Sequence, residues 1–228
     1  MEADSPQTLS SVVYARLRQE IVDGTLDPGS KLRIGVVSAR YGVTSTPVRE
    51  ALSQLASDGL VQRREQRGFT VAEASEPELQ ELIETRCWVE EIALRQAMLH
   101  PTPEWEEGIV VALHRLSRTK RSTDAAVFQE NPAWEPVHRA FHRALVATCP
   151  SRFLLDFCAR LGDHATRYRR LAMRAAYPNR DIGTEHRAIV EATLSGDADA
   201  AVDVLTTHYR RTASIVTGAR SKQATRNS

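Results

Sequence analysis

The chain has 228 residues, more than one domain usually needs, and its 42% hydrophobic and 26% charged composition is typical of a globular protein with a core. The longest aliphatic run, Ile109 to Leu113, is far shorter than the roughly 20 residues of a membrane-spanning helix. The three cysteines form no C-x-x-C pair, which argues against a disulfide framework or a thiolate zinc site. We therefore expect a cytoplasmic protein of two modest domains.

The formal net charge is only +1, but the basic residues are unevenly distributed. Seven basic residues against three acidic ones lie between Lys31 and Arg67, a local excess of four positive charges. Such an excess suits contacts with nucleic-acid phosphates, although a solvated protein surface explains it equally well. Charge alone therefore leaves both interpretations open.

Two helices are predicted in the first forty residues. Apolar residues at four-residue spacing predict an amphipathic helix over 9–22, which Asp23-Gly24 ends. Turn-forming residues fill 24–30. A short helix is then predicted from Ile34 to Tyr41, with Gly42 in the C-cap role.

A third helix follows, and Thr44 or Ser45 can cap its start. It closes near Asp58-Gly59. The apolar stripe predicted to be buried comprises Val48, Leu52, Leu55 and Leu60.

Two short strands are predicted next, over 60–64 and 69–72, joined at 65–68. Gly68 supplies the positive φ that a tight hairpin requires. Three helices followed by a hairpin predict a winged helix-turn-helix over 9–72. The fold class is thus mainly α, with a small β-hairpin wing in the first domain.

The helix-turn-helix interpretation identifies candidate DNA-binding residues. The second helix of such a motif enters the major groove, where its first residues meet phosphates and base edges. Hydroxyls there can bond to either, and an arginine can grip guanine through two hydrogen bonds. A residue just before the preceding helix suits a phosphate contact, and a wing tip can reach a minor groove. The candidates are Arg33, Thr44, Ser45, Thr46, Arg49, Arg67 and Gly68.

A polar linker is predicted over 73–77, and the rest of the chain has helical periodicity. An all-α bundle of six to seven helices is expected over 78–217. The polar ends, 1–8 and 218–228, are predicted to be disordered. Helices are placed near 77–99, 103–119, 132–148, 151–176, 180–195 and 197–217.

Four histidines fall on predicted buried faces of three helices in this second domain. His138 and His142 stand four residues apart on one helix, whereas His186 and His208 lie on two later helices. Neutral imidazoles that converge can hold a transition metal. Nothing in the sequence shows that the three helices converge, so satisfied core histidines are the alternative.

Arg86 shares a helix face with apolar residues, where an unpaired charge is costly. Glu90, four residues later, is one possible partner, and an anionic ligand is another. His164 lies on an apolar helix face, and two interpretations remain open: it lines an effector pocket, or it packs against its apolar neighbours. Arg167, Arg169 and Arg170 lie around Tyr168, where one of them can point inward, and Arg167 is the further candidate for an effector-binding side chain.

The first domain resembles GntR-type transcription regulators, in the FadR subfamily. The resemblance spans 13–72 and rests on Gly24-x-x-x-Pro-Gly-x-x-Leu32, Thr46-Pro-Val-Arg-Glu-Ala-Leu52, Gly59-Leu60-Val61 and Arg67-Gly68. It implies a DNA-binding domain of the winged helix-turn-helix type. Ser45 stands where many relatives carry a DNA-contacting arginine, which implies an altered base preference.

The second domain resembles the FCD effector domain, in which three histidines and an upstream acid hold a metal inside a helical bundle. The resemblance rests on Phe141-His142, Glu185-His186 and His208. His138 stands at the place of the acid, which makes the site neutral and favours a softer divalent metal such as Zn or Ni. The resemblance also implies that Arg86 faces a pocket for a carboxylate effector.

A narrower resemblance connects the chain to the carbon-starvation-induced regulators of this family. It rests on Arg40-Tyr-Gly42, His138-Arg-Ala-Phe-His142 and Arg167-Tyr-Arg169. It implies a small dicarboxylate, glutarate, as the effector.

We therefore predict a homodimeric regulator, a repressor, that binds a palindromic operator in double-stranded DNA and responds to a small organic acid. A metal-dependent hydrolase or lyase is the competing interpretation. The stretch from His138 to His142 lacks the glutamate that serves as general base in H-E-x-x-H proteases, so we expect no enzyme. A helical scaffold with an incidental basic segment is the third possibility.

Overall fold

The computed structural model of the chain describes residues 8–64, 68–73, 75–124, 126–176 and 180–224. The chain divides into two compact units between Ser75 and Glu76. Within the described ranges, no helix is both long enough and apolar enough to cross a bilayer.

The described residues of the first unit form three helices and a small antiparallel sheet with strand order β1-β3-β2. This is the predicted winged helix-turn-helix architecture. Its elements are α1 (Leu9–Val22), β1 (Lys31–Leu32), α2 (Ile34–Tyr41), α3 (Ser45–Ser57), β2 (Val61–Arg64) and β3 (Gly68–Val71).

The helices of this unit begin and end where the local sequence requires. Thr8 caps α1 by accepting a hydrogen bond from the Ser11 amide, and α1 gives way to a turn at Asp23. Gly42 ends α2 in the left-handed conformation, with φ of 65°, as predicted. The apolar sides of α1 and α3 pack against each other and carry most of the core.

The strand β1 was not predicted. It pairs Lys31 with Thr70 and Leu32 with Phe69, so the sheet has three strands instead of two. A two-residue strand is too short to show alternating hydrophobicity, and tertiary hydrogen bonds define it instead. The amide of Val71 donates to the carbonyl of Ser30 at 2.9 Å, just before the strand.

The second unit is an all-α bundle, as predicted, and its described residues form six helices. These are α4 (Glu76–Met98), α5 (Pro103–Arg118), α6 (Trp134–Leu145), α7 (Arg152–Ala176), α8 (Ile182–Leu194) and α9 (Ala198–Ala224). Helix α4 starts at Glu76, inside the predicted linker, and α9 continues to Ala224 instead of ending at 217. The polar end of α9 contains no proline, the residue that most strongly breaks a helix, so the helix can continue past Gly218. Residues 1–7 and 225–228 of the predicted disordered ends lie outside the described residues.

Packing within the bundle brings polar side chains into its centre. Helices α4, α7 and α9 pack against one another, α5 packs on α6, and α8 packs on α9. The buried face of α6 contains His138, His142 and Glu135 beside its apolar residues. Polar groups on a buried face are costly unless they find partners, so this face marks a candidate site.

Candidate functional site

The start of α3 presents polar side chains to solvent. Thr44, Ser45, Thr46 and Arg49 are exposed, whereas Val48 between them is fully buried. Thr44 is the N-cap residue, yet its side chain makes no capping hydrogen bond. Its hydroxyl is therefore free of the helix end and available to an outside partner.

The remaining candidate DNA contacts lie before α2 and at the wing. Arg33 is the exposed N-cap residue of α2. Gly68 is exposed at the start of β3 and has a φ of 80°, the positive value that the hairpin was predicted to need. Arg67 lies outside the described residues.

The four predicted histidines come together in the centre of the second unit. His138 and His142 project from α6, His186 from α8 and His208 from α9. Each offers one ligand atom, and these four atoms all lie within 4.8 Å of one another. The side chains are almost completely buried. The convergence that the sequence could not establish is therefore present in the fold.

The spacing of the ring nitrogens suits a single metal ion. Nε2 of His142 lies 3.1 Å from Nε2 of His138. Imidazole nitrogens that bind one zinc ion tetrahedrally at 2.0–2.1 Å lie about 3.3 Å apart. Within the described part of the chain, the buried Nε2 of His186 has no hydrogen-bond partner; Nδ1 of His138 also lacks one, but Nε2 is the nitrogen of that ring that faces His142. Buried polar atoms without partners are what a bound ion would satisfy.

The cluster is uncharged at neutral pH. Burial, reinforced by the neighbouring cations, lowers the pKa of His138 and of His142 well below the usual value. The same causes lower the pKa of His186 to about 2 and that of His208 to about 4. Neutral imidazole is the form that binds a metal, so no proton has to be removed before binding.

Glu185 orients one of the four histidines. Nδ1 of His208 donates to the Glu185 carboxylate at 2.8 Å, and Arg180 donates two hydrogen bonds to the same carboxylate at 2.9 and 2.6 Å. Burial alone would raise the pKa of Glu185, but these hydrogen bonds lower it to about 2. A carboxylate that holds one ring nitrogen leaves the other nitrogen for a metal.

Arg86 pairs with Glu90, the first of the two partners that the sequence offered for it. Its Nε donates to Glu90 at 2.6 Å, and both side chains are buried. Its guanidinium carbon also lies 3.8 Å from the centroid of the Tyr209 ring. The hydroxyl of Tyr209 lies 2.5 Å from Glu90 and 3.0 Å from Nδ1 of His142. Arg86 is therefore linked to the histidine cluster through two intermediate side chains.

A third buried ion pair was missed by sequence reasoning. Arg169 donates to both oxygens of Glu135 at 2.5 and 2.6 Å, and Thr166 donates to the same carboxylate. Glu135 stands three residues before His138 on the buried face of α6, which is the signal that could have revealed it. Counted with the pairs of Glu90 and Glu185, three carboxylates near the cluster are each neutralised by an arginine. A bound divalent cation would keep its positive charge.

Two cavities border the cluster. The first, of about 10 Å³, has room for little more than one water molecule or ion. Its polar lining consists of Arg86, His138, His142, Tyr168, Arg169, His208, Tyr209 and Thr212. The second, of about 270 Å³, lies between the end of α5 and the start of α8 and meets the cluster at His186.

Two of the predicted effector-binding residues do not line either cavity. Arg167 is buried on α7 against the ring of Tyr168, and His164 is half-buried on the same helix. Arg169, two residues further along, faces the first cavity instead. Arg86 is thus the predicted effector residue that the fold places beside the histidines.

The two units together define a class of protein. An exposed polar helix start in a winged helix-turn-helix, joined to a helical unit with a polar centre, is typical of a DNA-binding regulator with a sensing domain. Residues 9–71 match the profile of bacterial regulatory proteins of the gntR family, and residues 81–211 match the FCD domain. The chain belongs to the GntR family of transcription regulators and carries an FCD domain.

Individual relatives agree with this family. The chain is 37% identical over 210 residues to the uncharacterized HTH-type transcriptional regulator BphR of Paraburkholderia xenovorans strain LB400, covering 92% of this chain and 86% of the relative. It is 32% identical over 199 residues to the HTH-type transcriptional repressor GlaR of Escherichia coli strain K12, covering 86% and 90%. The chain is therefore a transcription regulator and not an enzyme.

Solved structures share the fold. E. coli McbR/YncC has a TM-score of 0.75 at 20% identity, covering 93% of this chain and 98% of that one. A GntR regulator from Rhodococcus sp. RHA1 has a TM-score of 0.74 at 23% identity, covering 92% and 98%. At these identities the likeness concerns the fold alone.

Proposed function

We propose that the protein is a homodimeric repressor that binds a palindromic operator and releases it when a small carboxylic or dicarboxylic acid binds beside a metal in the second unit. The observation that carries this proposal is the convergence of four neutral imidazoles within 4.8 Å. Family membership supplies the DNA-binding role. The repressor named among the relatives supports repression rather than activation.

The proposed DNA contacts are those that the first unit leaves accessible. Thr44, Ser45 and Thr46 would bond to phosphates or bases, and Arg49 would read a guanine in the major groove. Arg33 would hold a phosphate, while Arg67 and Gly68 at the wing would approach a minor groove.

The proposed metal is Zn²⁺ or Ni²⁺, held by His138, His142, His186 and His208. Four neutral nitrogen ligands favour such ions over Mg²⁺ or Mn²⁺, which prefer oxygen. The metal would supply a positive charge that the surrounding ion pairs do not cancel. It would therefore attract an anionic ligand.

The effector is proposed to be a small acid, with a dicarboxylate such as glutarate suggested by the narrower family resemblance. Arg86 would bind one carboxylate, because it lines the first cavity and only its Nε is used by Glu90 in the hydrogen bond at 2.6 Å. That cavity is too small for such an acid as it stands, so binding requires side chains to move or the ligand to extend into the larger cavity beside His186. The acid can release DNA only if it binds one DNA-binding state better than the other.

A dimer is proposed because a palindromic operator presents two half-sites related by two-fold symmetry. Helices α4 and α7 pack against each other, and each carries exposed large apolar side chains. They are Trp88 and Ile92 on α4, and Phe153 and Phe157 on α7. Clusters of exposed large apolar groups mark association surfaces, and we propose a second copy of this chain as the partner.

The proposal is tested by a gel shift with DNA from the promoters of the protein's own gene and its neighbours. Metal-loaded protein without acid should retard one of these fragments at low salt, and glutarate should reverse the shift. Arg49→Ala should cost about 1–3 kcal/mol of specific binding if Arg49 reads a base. Arg118→Ala, on α5, removes the same charge from an exposed site in the other unit and should change little.

Three results would contradict the proposal. Failure to shift any fragment at low salt would remove the operator-binding role. A complex that small mono- and dicarboxylates leave intact would remove acid control. An Arg49→Ala variant with unchanged affinity would show that Arg49 does not read a base.

A further inference from the structure

The hydroxyl of Tyr209 occupies a position between a carboxylate and a histidine. It lies 2.5 Å from Oε2 of Glu90 and 3.0 Å from Nδ1 of His142. A phenol has one proton to donate, and an ionised carboxylate can only accept. Tyr209 therefore donates to Glu90, and its oxygen is left to accept a hydrogen bond from His142.

This direction of hydrogen bonding determines the tautomer of His142. Nδ1 of His142 must carry the proton that it donates to Tyr209. A neutral imidazole protonated at Nδ1 has its lone pair at Nε2. Nε2 of His142 is also the atom that lies 3.1 Å from Nε2 of His138, in the centre of the cluster.

Arg86 completes the chain of contacts. Its Nε donates to Oε1 of Glu90, the oxygen that Tyr209 does not use. The guanidinium therefore holds Glu90 as an acceptor facing Tyr209. The four side chains form a continuous buried path from α4 through α9 to α6.

A second histidine is oriented in the same way by different residues. Nδ1 of His208 faces Glu185, which Arg180 holds in place. In both cases an arginine-bound carboxylate directs the proton to Nδ1 and leaves Nε2 toward the cluster. The path to His142 differs in that Tyr209 is inserted between carboxylate and histidine.

We infer that Tyr209 and Glu90 are positioning residues of the metal site: together they hold His142 in the tautomer and orientation that presents Nε2 to a divalent transition metal. The inference rests on the proposed metal-binding role of the four histidines. It adds two residues to the site, from α4 and α9, that bind no metal themselves. It also places Arg86, the proposed effector residue, at the far end of the path that orients a metal ligand.

Tyr209→Phe tests the inference because it removes the hydroxyl and keeps the ring. The dissociation constant for Zn²⁺ is measured by competition with a chelator. Loss of an outer partner of a metal-bound histidine typically weakens metal binding by about 10- to 100-fold. Tyr14→Phe is the matched control, since the hydroxyl of Tyr14 also donates to a carboxylate, that of Asp58 at 2.6 Å, but in the first unit. It should leave the dissociation constant unchanged.

Nitrogen-15 NMR of metal-free protein shows which ring nitrogen of His142 carries the proton. A residue that only stabilised the fold would not change this tautomer. The wild-type ring should carry its proton at Nδ1, and Tyr209→Phe should populate the Nε2-protonated tautomer. Equal losses of zinc affinity in the two phenylalanine variants, or no loss in Tyr209→Phe, would overturn the inference. So would a wild-type His142 protonated at Nε2. If wild-type protein binds no zinc, the proposed metal site fails, whereas the NMR experiment still decides the role of Tyr209.

Discussion

His138 is the single residue that most affects the chemistry of the proposed site. Relatives with the family's usual pattern are expected to have an acid at this position, whereas His138 adds a fourth neutral ring. It stacks on Trp134 at a centroid distance of 4.4 Å, and burial keeps it uncharged. Its side chain is thus held rigidly toward the other three histidines.

His138→Asp should therefore change metal selectivity. A carboxylate in place of the imidazole introduces an anionic oxygen ligand, which harder cations prefer. The ratio of Mn²⁺ to Zn²⁺ affinity, measured by competition, should rise in this variant. His114→Asp, at an exposed position on α5, is the control for added charge. An unchanged ratio in His138→Asp would show that His138 is not a ligand.

The candidate site could be predicted from sequence only in part. Helical periodicity identified the inward faces of the four histidines, because that information is local. The side chains that contact these histidines were not predictable, because they come from distant parts of the chain. Glu90 and Tyr209, which bond to each other beside His142, are 119 residues apart. Arg169 rather than Arg167 faces the first cavity because of the rotation of α7, which tertiary packing decides.

At the level of elements, helix ends were predicted best where the sequence has a glycine that stops the helix. The predicted limits of α1 and α2 agree with the structure, because Gly24 and Gly42 follow these helices with positive φ, at 67° and 65°. The strand β1 has no such signal. Its pairing depends on where β3 lies, so only the folded structure reveals it.

Gly35 inside α2 and Gly42 just after it test the role of Gly42 as the residue that ends this helix. An added Cβ would meet no atom within 4 Å at Gly35 or at Gly42, so any difference between alanine variants comes from the backbone. Gly42→Ala should lower the free energy of unfolding of the first unit by about 1 kcal/mol, because its φ is positive.

Gly35→Ala should instead raise that free energy slightly, by at most about 0.5 kcal/mol, because Gly35 lies in the first turn of the helix. Native-state hydrogen exchange of amides in the first unit measures both changes in the full chain. Destabilisation of equal size in the two variants would contradict this account of how α2 ends.

At the scale of the whole molecule, the proposed dimer depends on the exposed apolar side chains of α4 and α7. Ile92→Glu combined with Phe157→Glu should convert the dimer to a folded monomer, because charges buried in an apolar interface are costly. Val111→Glu places a charge at a partly exposed apolar position on α5 and should leave the dimer intact. Sedimentation equilibrium distinguishes these outcomes. A wild-type monomer, or a double variant that remains dimeric, would contradict the proposed interface.

Metal content of the purified protein is the most direct measurement of the central claim. Protein is stripped with a chelator, reloaded with Zn²⁺ or Ni²⁺, freed of excess ion and analysed by mass spectrometry for metal per chain. The account predicts one tightly held ion in wild-type protein and in Arg49→Ala, and none in His142→Ala combined with His186→Ala. Wild-type protein that retains no ion, or a double variant that retains as much as wild type, would contradict the four-histidine metal site.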